Sequence, residues 1–215
     1  MSPAELSLVY ADDALLVFDK PAGLLSVPGR GAEKQDCLSA RAQALHPEAL
    51  VVHRLDMGTS GLMVMARSVA TQRNLNHAFA SRSVKKRYLA VVDGQLAAPH
   101  EAWGVIDLPI GVDWPNRPLR VIDPLHGKPS VTRWRVLSHD ALAATTRVEL
   151  EPMTGRSHQL RVHLLALGHP ILGDALYASA RVQAMAERLL LHASALELKH
   201  PVTGRAMRFV SGVDF

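Results

Sequence analysis

The chain has 215 residues, 48% of them hydrophobic and 20% charged, so a sizeable core can form and intrinsic disorder is disfavoured. The single cysteine, Cys37, excludes a disulfide within the chain and argues against a zinc site built on thiolates. The formal net charge of +4 and the pI of about 9.5 fit a polyanionic partner without requiring one. Residues 1–6 lack the pattern of a signal peptide, and no apolar stretch reaches membrane-spanning length, so we expect a cytoplasmic protein.

The first half of the chain alternates short apolar runs with turn signals and two amphipathic stretches. Proline and glycine are frequent at residues 20–31, which predicts a long loop there. In chain order we predict a hairpin of residues 6–10 and 14–19, a helix over 37–45, a strand ending at Val52, a strand over 61–66, and a helix from an N-cap at Ser68 through Ser81.

The second half reads as strands with helices between them. We predict a strand over 88–92, a proline-rich loop over 99–129, a hairpin of 130–137 and 145–150, a helix over 158–166 capped by Ser157, a helix over 182–188, and closing strands over 189–198 and 205–210. Arg133 and Arg135 alternate with apolar residues and should share one face of their strand. The whole predicts an α+β fold with a mixed, mostly antiparallel sheet and short helices packed around it, in one catalytic-domain-sized unit over residues 1–215.

One segment places a carboxylate at the end of a predicted strand. Residues 51–61 read VVHRLDMGTSG, so Asp56 follows Arg54 and precedes a glycine-rich turn. A rigid strand end is a suitable place to hold a reactive group. The simpler interpretation is that Asp56 caps a turn and pairs with Arg54 at the surface.

Two further segments combine with the first. Residues 85–94 read KKRYLAVVDG, where Tyr88 follows a basic cluster, and residues 154–163 read TGRSHQLRVH, where Arg161 can point inward from a helix. A buried arginine needs a carboxylate, so Asp56 and Arg161 are candidate partners, and that pairing would keep the aspartate ionised. Taken singly, Tyr88 could be a core aromatic and Arg161 a structural ion-pair member.

Motifs for nucleotide or metal chemistry are missing. The sequence has no glycine-rich dinucleotide fingerprint, no P-loop and no nucleophile elbow. His158 and His163 are five residues apart and would face different sides of a helix. We therefore expect no metal site.

These segments resemble the signature motifs of the RluA family of RNA pseudouridine synthases, and the resemblance covers nearly the whole chain. Residues 20–29, KPAGLLSVPG, resemble the N-terminal loop of the family. Residues 113–118, DWPNRP, and 167–174, LGHPILGD, are most similar to its founding member, which acts on ribosomal and transfer RNA.

The resemblance implies a fold, a reaction and a substrate. The fold would be the pseudouridine synthase catalytic fold, with an active-site cleft across the sheet and no S4 RNA-binding domain. The enzyme would be an isomerase that extrudes a uridine from a stem-loop of 23S ribosomal RNA or of the transfer RNA anticodon arm and converts it to pseudouridine. It would need no cofactor, no membrane and no obligate protein partner, and would work as a monomer.

The resemblance also implies residue roles. Asp56 matches the catalytic aspartate, Arg161 the basic residue paired with it, and Tyr88 the tyrosine that stacks on the flipped base. Arg54 matches the arginine that enters the RNA stack. The residues expected to contact RNA are Arg54, His53, Lys85, Lys86, Arg117, Arg156 and His158.

Two other functions would use some of the same residues. An RNA-binding module without chemistry would use the basic strands and Tyr88 but would have no need of Asp56. A nucleoside or base-excision hydrolase would also place an aspartate at the sugar, and it would release free uracil.

Overall fold

The computed structural model describes residues 6–215. Residues 1–5, which contribute to the predicted lack of a signal peptide, lie outside the described part. The described chain forms two compact units. One contains the chain up to Lys86 together with Ala193–Val213, and the other contains Arg87–His192 and the last two residues. Both are built from antiparallel strands and short helices, which confirms the predicted α+β class. Over residues 6–215, no helix is long and apolar enough to cross a membrane.

The first unit contains the predicted N-terminal hairpin. Its strands are β1 (Ser7–Ala11), β2 (Leu15–Lys20), β3 (Leu50–Val51), β4 (Ser60–Ala66), β11 (Leu191–Lys199, from Ala193 onward) and β12 (Ala206–Val210). The strand order is β1-β2-β4-β11, with β3 paired to β4 and β12 paired to β11. Every residue of β4 is buried, as expected for a strand that is covered on both faces.

Helix α1 (Leu38–Leu45) begins one residue later than predicted because Cys37 is its N-cap, whereas α2 (Val69–Ala80) begins directly after its predicted cap, Ser68. In α1 the Cys37 Sγ accepts from the Ala40 amide, and in α2 the Ser68 hydroxyl accepts from the Thr71 amide.

The apolar residues of β4 divide between two clusters. Leu62 and Val64 pack in the cluster of Leu75 on α2, whereas Met63 packs in that of Leu38 on α1.

The second unit contains a four-stranded antiparallel sheet and a separate hairpin. The strands of this sheet are β5 (Lys85–Asp93, from Arg87 onward), β6 (Gly104–Asp107), β9 (Val131–Asp140) and β10 (Thr145–Pro152), in the order β5-β10-β9-β6. The separate hairpin consists of β7 (Ile110–Val112) and β8 (Arg120–Ile122).

The predicted loop over 99–129 is therefore wrong in part, because it contains β6, β7 and β8. These strands are only three or four residues long. Prolines lie in the connections between them, where a missing amide costs no ladder bond. A three-residue strand is too short to show the alternation on which the sequence prediction depends.

Helix α3 (Gln159–Ala166) packs on the four-stranded sheet, and its Leu160 and Leu164 join the core around Trp134. The predicted Ser157 cap is wrong. The N-cap is His158, in a left-handed conformation with φ 57° and no side-chain cap bond. The helix predicted over 182–188 is also shifted. The structure has α4 (Ala180–Gln183), whose N-cap Ser179 accepts from the Val182 amide.

Candidate active site

The loop that carries Asp56 is held by hydrogen bonds from residues 20–26. The Ser26 hydroxyl donates to the Leu55 carbonyl at 2.7 Å and accepts from the Leu55 amide at 3.0 Å. The Gly23 amide donates to the Met57 carbonyl at 2.9 Å. Both neighbours of Asp56 are thus tied by hydrogen bonds, so its backbone has little freedom to move.

Lys20 is a second anchor of this loop. Its side chain is fully buried, and its Nζ donates to the carbonyls of Pro21 at 2.9 Å, Leu24 at 2.7 Å and Met57 at 3.2 Å. Burial lowers the pKa of Lys20 to about 8, and the negative charge of Asp56 opposes that shift. The ammonium therefore joins the two segments and adds a positive charge to the surroundings of Asp56.

His53, predicted to contact RNA, lies largely inside the first unit. Its Nε2 accepts from the Val64 amide at 3.1 Å, and its ring stacks on Phe79 with centroids 4.6 Å apart. Burial, together with the nearby Lys86 charge, lowers the pKa of His53 to about 3. The ring is neutral at pH 7 and fixes the start of the loop, while its contact with RNA stays a prediction.

The other basic residues of this unit differ in exposure. Arg54 and Lys85 are exposed. Lys86 is half-buried, and burial lowers the pKa of its ammonium. Arg54 thus has the freedom that a side chain reaching into RNA would need.

Gly61, at the end of the glycine-rich turn, cannot be replaced without a clash. Its φ is +108°, and a Cβ would lie 2.4 Å from the Ala193 carbonyl oxygen. The turn after Asp56 is therefore packed directly against backbone, in agreement with the predicted rigidity of this segment.

In the second unit, Tyr88 lies on β5. Its side chain is half-buried and packs against the core that contains Leu150 and Leu160. A ring in this position has one part fixed by the core and another that is accessible.

Arg161 is buried in α3 and has a carboxylate partner that the sequence analysis missed. Its Nε donates to Asp174 Oδ2 at 2.7 Å and its Nη2 to Asp174 Oδ1 at 2.6 Å. Asp174 Oδ1 also accepts from the amides of Leu176 and Tyr177. The pair fixes the guanidinium in one plane.

Tyr177 connects α3 to β8. Its ring lies 4.9 Å from the Arg161 guanidinium carbon, and its hydroxyl is 2.6 Å from His158 Nδ1. The same hydroxyl accepts from the Arg120 amide at 2.9 Å. His158, predicted to bind RNA, therefore has a role in fixing the N-terminus of α3.

The remaining residues of the 154–163 motif fall into a buried and an exposed set. Gln159 is buried, and its amide group binds Thr154, Val131 and Thr132. His163 bridges Thr132 Oγ1 and the Leu108 carbonyl, and burial lowers its pKa. Arg156 is exposed. The buried Gln159 and His163 fix the backbone from which its side chain extends.

A separate arginine cluster surrounds Trp103. The guanidinium carbons of Arg87, Arg133 and Arg135 lie 4.6, 5.0 and 4.8 Å from its ring, which confirms that Arg133 and Arg135 share a face. Glu151 and Glu149 form the ion pairs of this cluster. These arginines are largely neutralised within the fold.

The site residues are thus distributed over both units. Asp56, Arg54, His53, Lys85 and Lys86 belong to the first, and Tyr88, Arg117, Arg156, His158 and Arg161 belong to the second. The pairing of Asp56 with Arg161 stays a prediction. The roles of Lys20, Ser26, Asp174 and Tyr177 were not predicted from the sequence, although the first three lie in segments that carry the family resemblance. Among residues 6–215, no three histidines, cysteines or acidic residues are grouped to hold a metal ion.

Comparisons with known proteins agree in their result. Residues 14–166 match the family model described as RNA pseudouridylate synthase. The chain is 50% identical over 210 residues to the Dual-specificity RNA pseudouridine synthase RluA of Escherichia coli (strain K12), covering 98% of this chain and 94% of that protein. It is 45% identical to the protein of the same name from Haemophilus influenzae, with the same coverage.

The fold is also similar to solved structures. Human RNA Pseudouridylate Synthase Domain Containing 1 matches with a TM-score of 0.80 and 30% identity, covering 99% of this chain and 86% of that chain. Human RNA Pseudouridylate Synthase Domain Containing 4 matches with a TM-score of 0.75 and 28% identity, covering 97% and 88%.

Proposed function

The chain belongs to the RluA family of RNA pseudouridine synthases, and we propose that it converts specific stem-loop uridines to pseudouridine in 23S ribosomal RNA and in the transfer RNA anticodon arm. The observation that supports a catalytic Asp56 most directly is the fixed backbone around it, since Ser26 bonds Leu55 and Lys20 bonds Met57. A reacting carboxylate has to be held within a fraction of an ångström of its target.

The reaction is an isomerisation within one nucleotide. The C1′–N1 bond of uridine breaks, the base turns, and a C1′–C5 bond forms, while C5 loses a proton and N1 carries one at the end. No atom is gained or lost, so the chemistry requires no cofactor. The uridine must leave its stack to be reached, which costs less in an RNA loop than in a duplex.

We propose that Asp56 acts at the sugar of this extruded uridine. The carboxylate has two routes, either a bond to C1′ or removal of the 2′ proton. Deuterium at C2′ distinguishes them, because only proton removal gives a primary isotope effect. We also propose Arg161, whose guanidinium is held by Asp174, as the basic residue that acts with Asp56.

Two further residues act on the RNA. In this proposal Tyr88 stacks on the flipped base and takes a proton from the sugar. Arg54, which is exposed, fills the space that the uridine leaves. Tyr88→Phe keeps the stacking face, so it should lower the rate of turnover while RNA affinity is retained.

The test is carbodiimide mapping of pseudouridine in RNA from cells that lack the gene. Wild-type protein should restore the modification, and Asp56→Asn should not, although it should still bind the stem-loop. Asp13→Asn removes an exposed carboxylate and serves as the matched control. Modification by Asp56→Asn would refute the catalytic role, and release of free uracil by the wild type would indicate a hydrolase.

We further propose that the protein acts as a monomer in the cytoplasm without an obligate protein partner. An RNA substrate fits a cytoplasmic location. Cys37 is free and buried, so its thiol is not available to link two copies through a disulfide. Light scattering of the pure protein, with and without stem-loop RNA, tests the oligomeric state.

A further inference from the structure

An open groove lies in the second unit, on residues that the proposed chemistry does not use. Its volume is about 510 Å³, within the range of about 300–1,000 Å³ for small-molecule sites. The lining includes the hairpin β7–β8 and the turn before α3. The side chains that decide its chemistry are Trp114, Arg120, Asp123, His126, Lys128 and Arg156.

The groove carries positive charge that the fold leaves largely uncompensated. Over residues 6–215, Arg120, Lys128 and Arg156 have no carboxylate within ion-pair distance, in contrast to the arginines around Trp103. Asp123 is the one acidic side chain of the lining, and its Oδ1 accepts from the amides of Leu125 and His126. Three cations against one carboxylate leave the groove suited to a phosphate.

An aromatic ring lies beside these cations. Trp114 is 65% exposed, which is unusual for so large an apolar side chain. The guanidinium carbon of Arg117 lies 3.9 Å from its ring centroid. An exposed indole next to a basic groove is the arrangement on which a nucleic-acid base stacks.

The backbone of the groove is fixed before any ligand arrives. The Arg120 amide donates to the Tyr177 hydroxyl at 2.9 Å, and the Gly127 amide donates to the Asp123 carbonyl at 2.9 Å. Ile110 and Lys128 exchange backbone hydrogen bonds at 3.0 and 2.9 Å. Binding therefore requires little ordering of the backbone, which favours affinity.

We propose that this groove binds one nucleotide of the RNA strand other than the reacting uridine. Its phosphate contacts Arg120, Lys128 and Arg156, and its base stacks on Trp114. The proposal rests on the proposed function for the identity of the RNA. It adds a second site to the recognition of the stem-loop, and among its four residues only Arg156 was already expected to contact RNA.

The first experiment measures equilibrium binding of a labelled anticodon stem-loop in the Asp56→Ala background, so that no turnover occurs. Trp114→Ala and the double variant Arg120→Ala/Lys128→Ala should each weaken binding about tenfold. Trp114→Phe should restore most of the affinity. The double variant should also flatten the dependence of log Kd on log salt by about 0.7 for each phosphate that the protein no longer neutralises. Arg205→Ala, which removes an exposed arginine of the first unit, is the charge control.

A second experiment locates the base. Stem-loops with 5-iodouridine at successive positions are irradiated on the wild-type protein, and crosslinked peptides are identified by mass spectrometry. A crosslink at Trp114 from one position supports the proposal. Uridine monophosphate and inorganic phosphate are then tested as competitors. If either anion binds the wild type but not the groove variants, and those variants keep wild-type RNA affinity, the groove takes free anions, which overturns the proposal.

The outcomes separate this proposal from the function itself. Wild-type affinity in both groove variants and no crosslink at Trp114 overturn the groove site, while loss of pseudouridine in Asp56→Asn would still support the reaction. If the wild type forms no pseudouridine, the proposed function fails, and the binding data still decide the groove. Thermal unfolding of each variant confirms that the fold is intact.

Discussion

Arg161 and Asp174 form a two-bond ion pair inside the second unit, with distances of 2.7 and 2.6 Å. Their side chains are only 7% and 1% exposed. A charge pair this deeply buried is expensive to break, because removing one partner leaves the other charge uncompensated.

Asp174→Asn should therefore be strongly destabilising. We expect it to lower the free energy of unfolding by about 3 kcal/mol, and to reduce turnover because Arg161 loses its fixed orientation. Urea denaturation measures the first effect. The control is Asp93→Asn, which breaks the pair with the 66% exposed Arg181 and should cost less than about 1 kcal/mol. If both variants lose the same free energy of unfolding, burial does not make the Arg161–Asp174 pair more costly to break.

Lys20→Met separates the positioning of Asp56 from the stability of the fold. The lowered pKa of Lys20, about 8, means that burial of its charge is unfavourable, which offsets part of the loss of three hydrogen bonds. We expect a small change in stability and a fall in kcat of about tenfold or more, since small displacements of a reacting group have large effects on rate.

Lys20→Met is tested by measuring kcat and RNA affinity separately. RNA affinity should stay within about twofold, because Lys20 is buried and does not reach the solvent. Lys34→Met removes an exposed lysine and should leave both quantities unchanged. A loss of affinity equal to the loss of kcat would indicate general unfolding rather than a positioning role.

His53 should make the protein sensitive to acid. Its pKa is about 3 in the native state against an ordinary value of 6.5, so between these pH values the unfolded chain binds a proton that the folded chain does not. Stability is therefore full above pH 6.5 and falls as the pH drops towards 3. From pH 7 to pH 5 this group should cost about 2 kcal/mol.

Unfolding curves for His53→Gln measure that contribution. The glutamine oxygen can still accept from the Val64 amide but does not titrate, so the slope of stability against pH should become shallower. A remaining slope of the same sign is expected from His163, whose pKa burial also lowers. The control is His100→Gln, which changes an exposed histidine. If the slope of stability against pH is the same in His100→Gln and His53→Gln, the acid sensitivity does not come from His53.

Gly61→Ala should destabilise the turn after Asp56 by more than its backbone conformation explains. Gly204, also at positive φ, has no atom within 4 Å of the place where a Cβ would lie, whereas at Gly61 the Ala193 carbonyl oxygen would be 2.4 Å away. Gly204→Ala should cost about 1 kcal/mol of backbone strain, and Gly61→Ala clearly more. Differential scanning calorimetry compares them, and equal shifts in Tm would mean that the contact with Ala193 relaxes freely.

The sequence predicts those parts of the fold whose signals are local. Ser68 and the apolar stripe that follows it are within one element, and α2 lies where they place it. The pattern around Asp56 likewise contains its own turn glycines. Strands β6, β7 and β8 escape prediction because three or four residues carry no period, and their pairing partners are not marked by any local signal.

The partners of the site residues are the hardest part to predict. Asp174 is separated by a turn from α3, and Ser26 lies 29 residues before Leu55. Composition and periodicity identify which residue is buried, as for Arg161, but they do not say which carboxylate lies opposite. His158 is an N-cap rather than the predicted helix residue, because its left-handed backbone is accompanied by a tertiary contact with Tyr177.

Ser26 gives the Leu55 backbone both a donor and an acceptor with a single hydroxyl group. A neighbouring strand would supply the same two bonds, but it would bring a row of side chains with it. The loop that carries Asp56 is therefore fixed as it would be by a neighbouring strand, while only one small side chain occupies the space. Among natural amino acids only threonine offers the same hydroxyl on a side chain of similar length, so tolerance of other residues at this position should be very narrow.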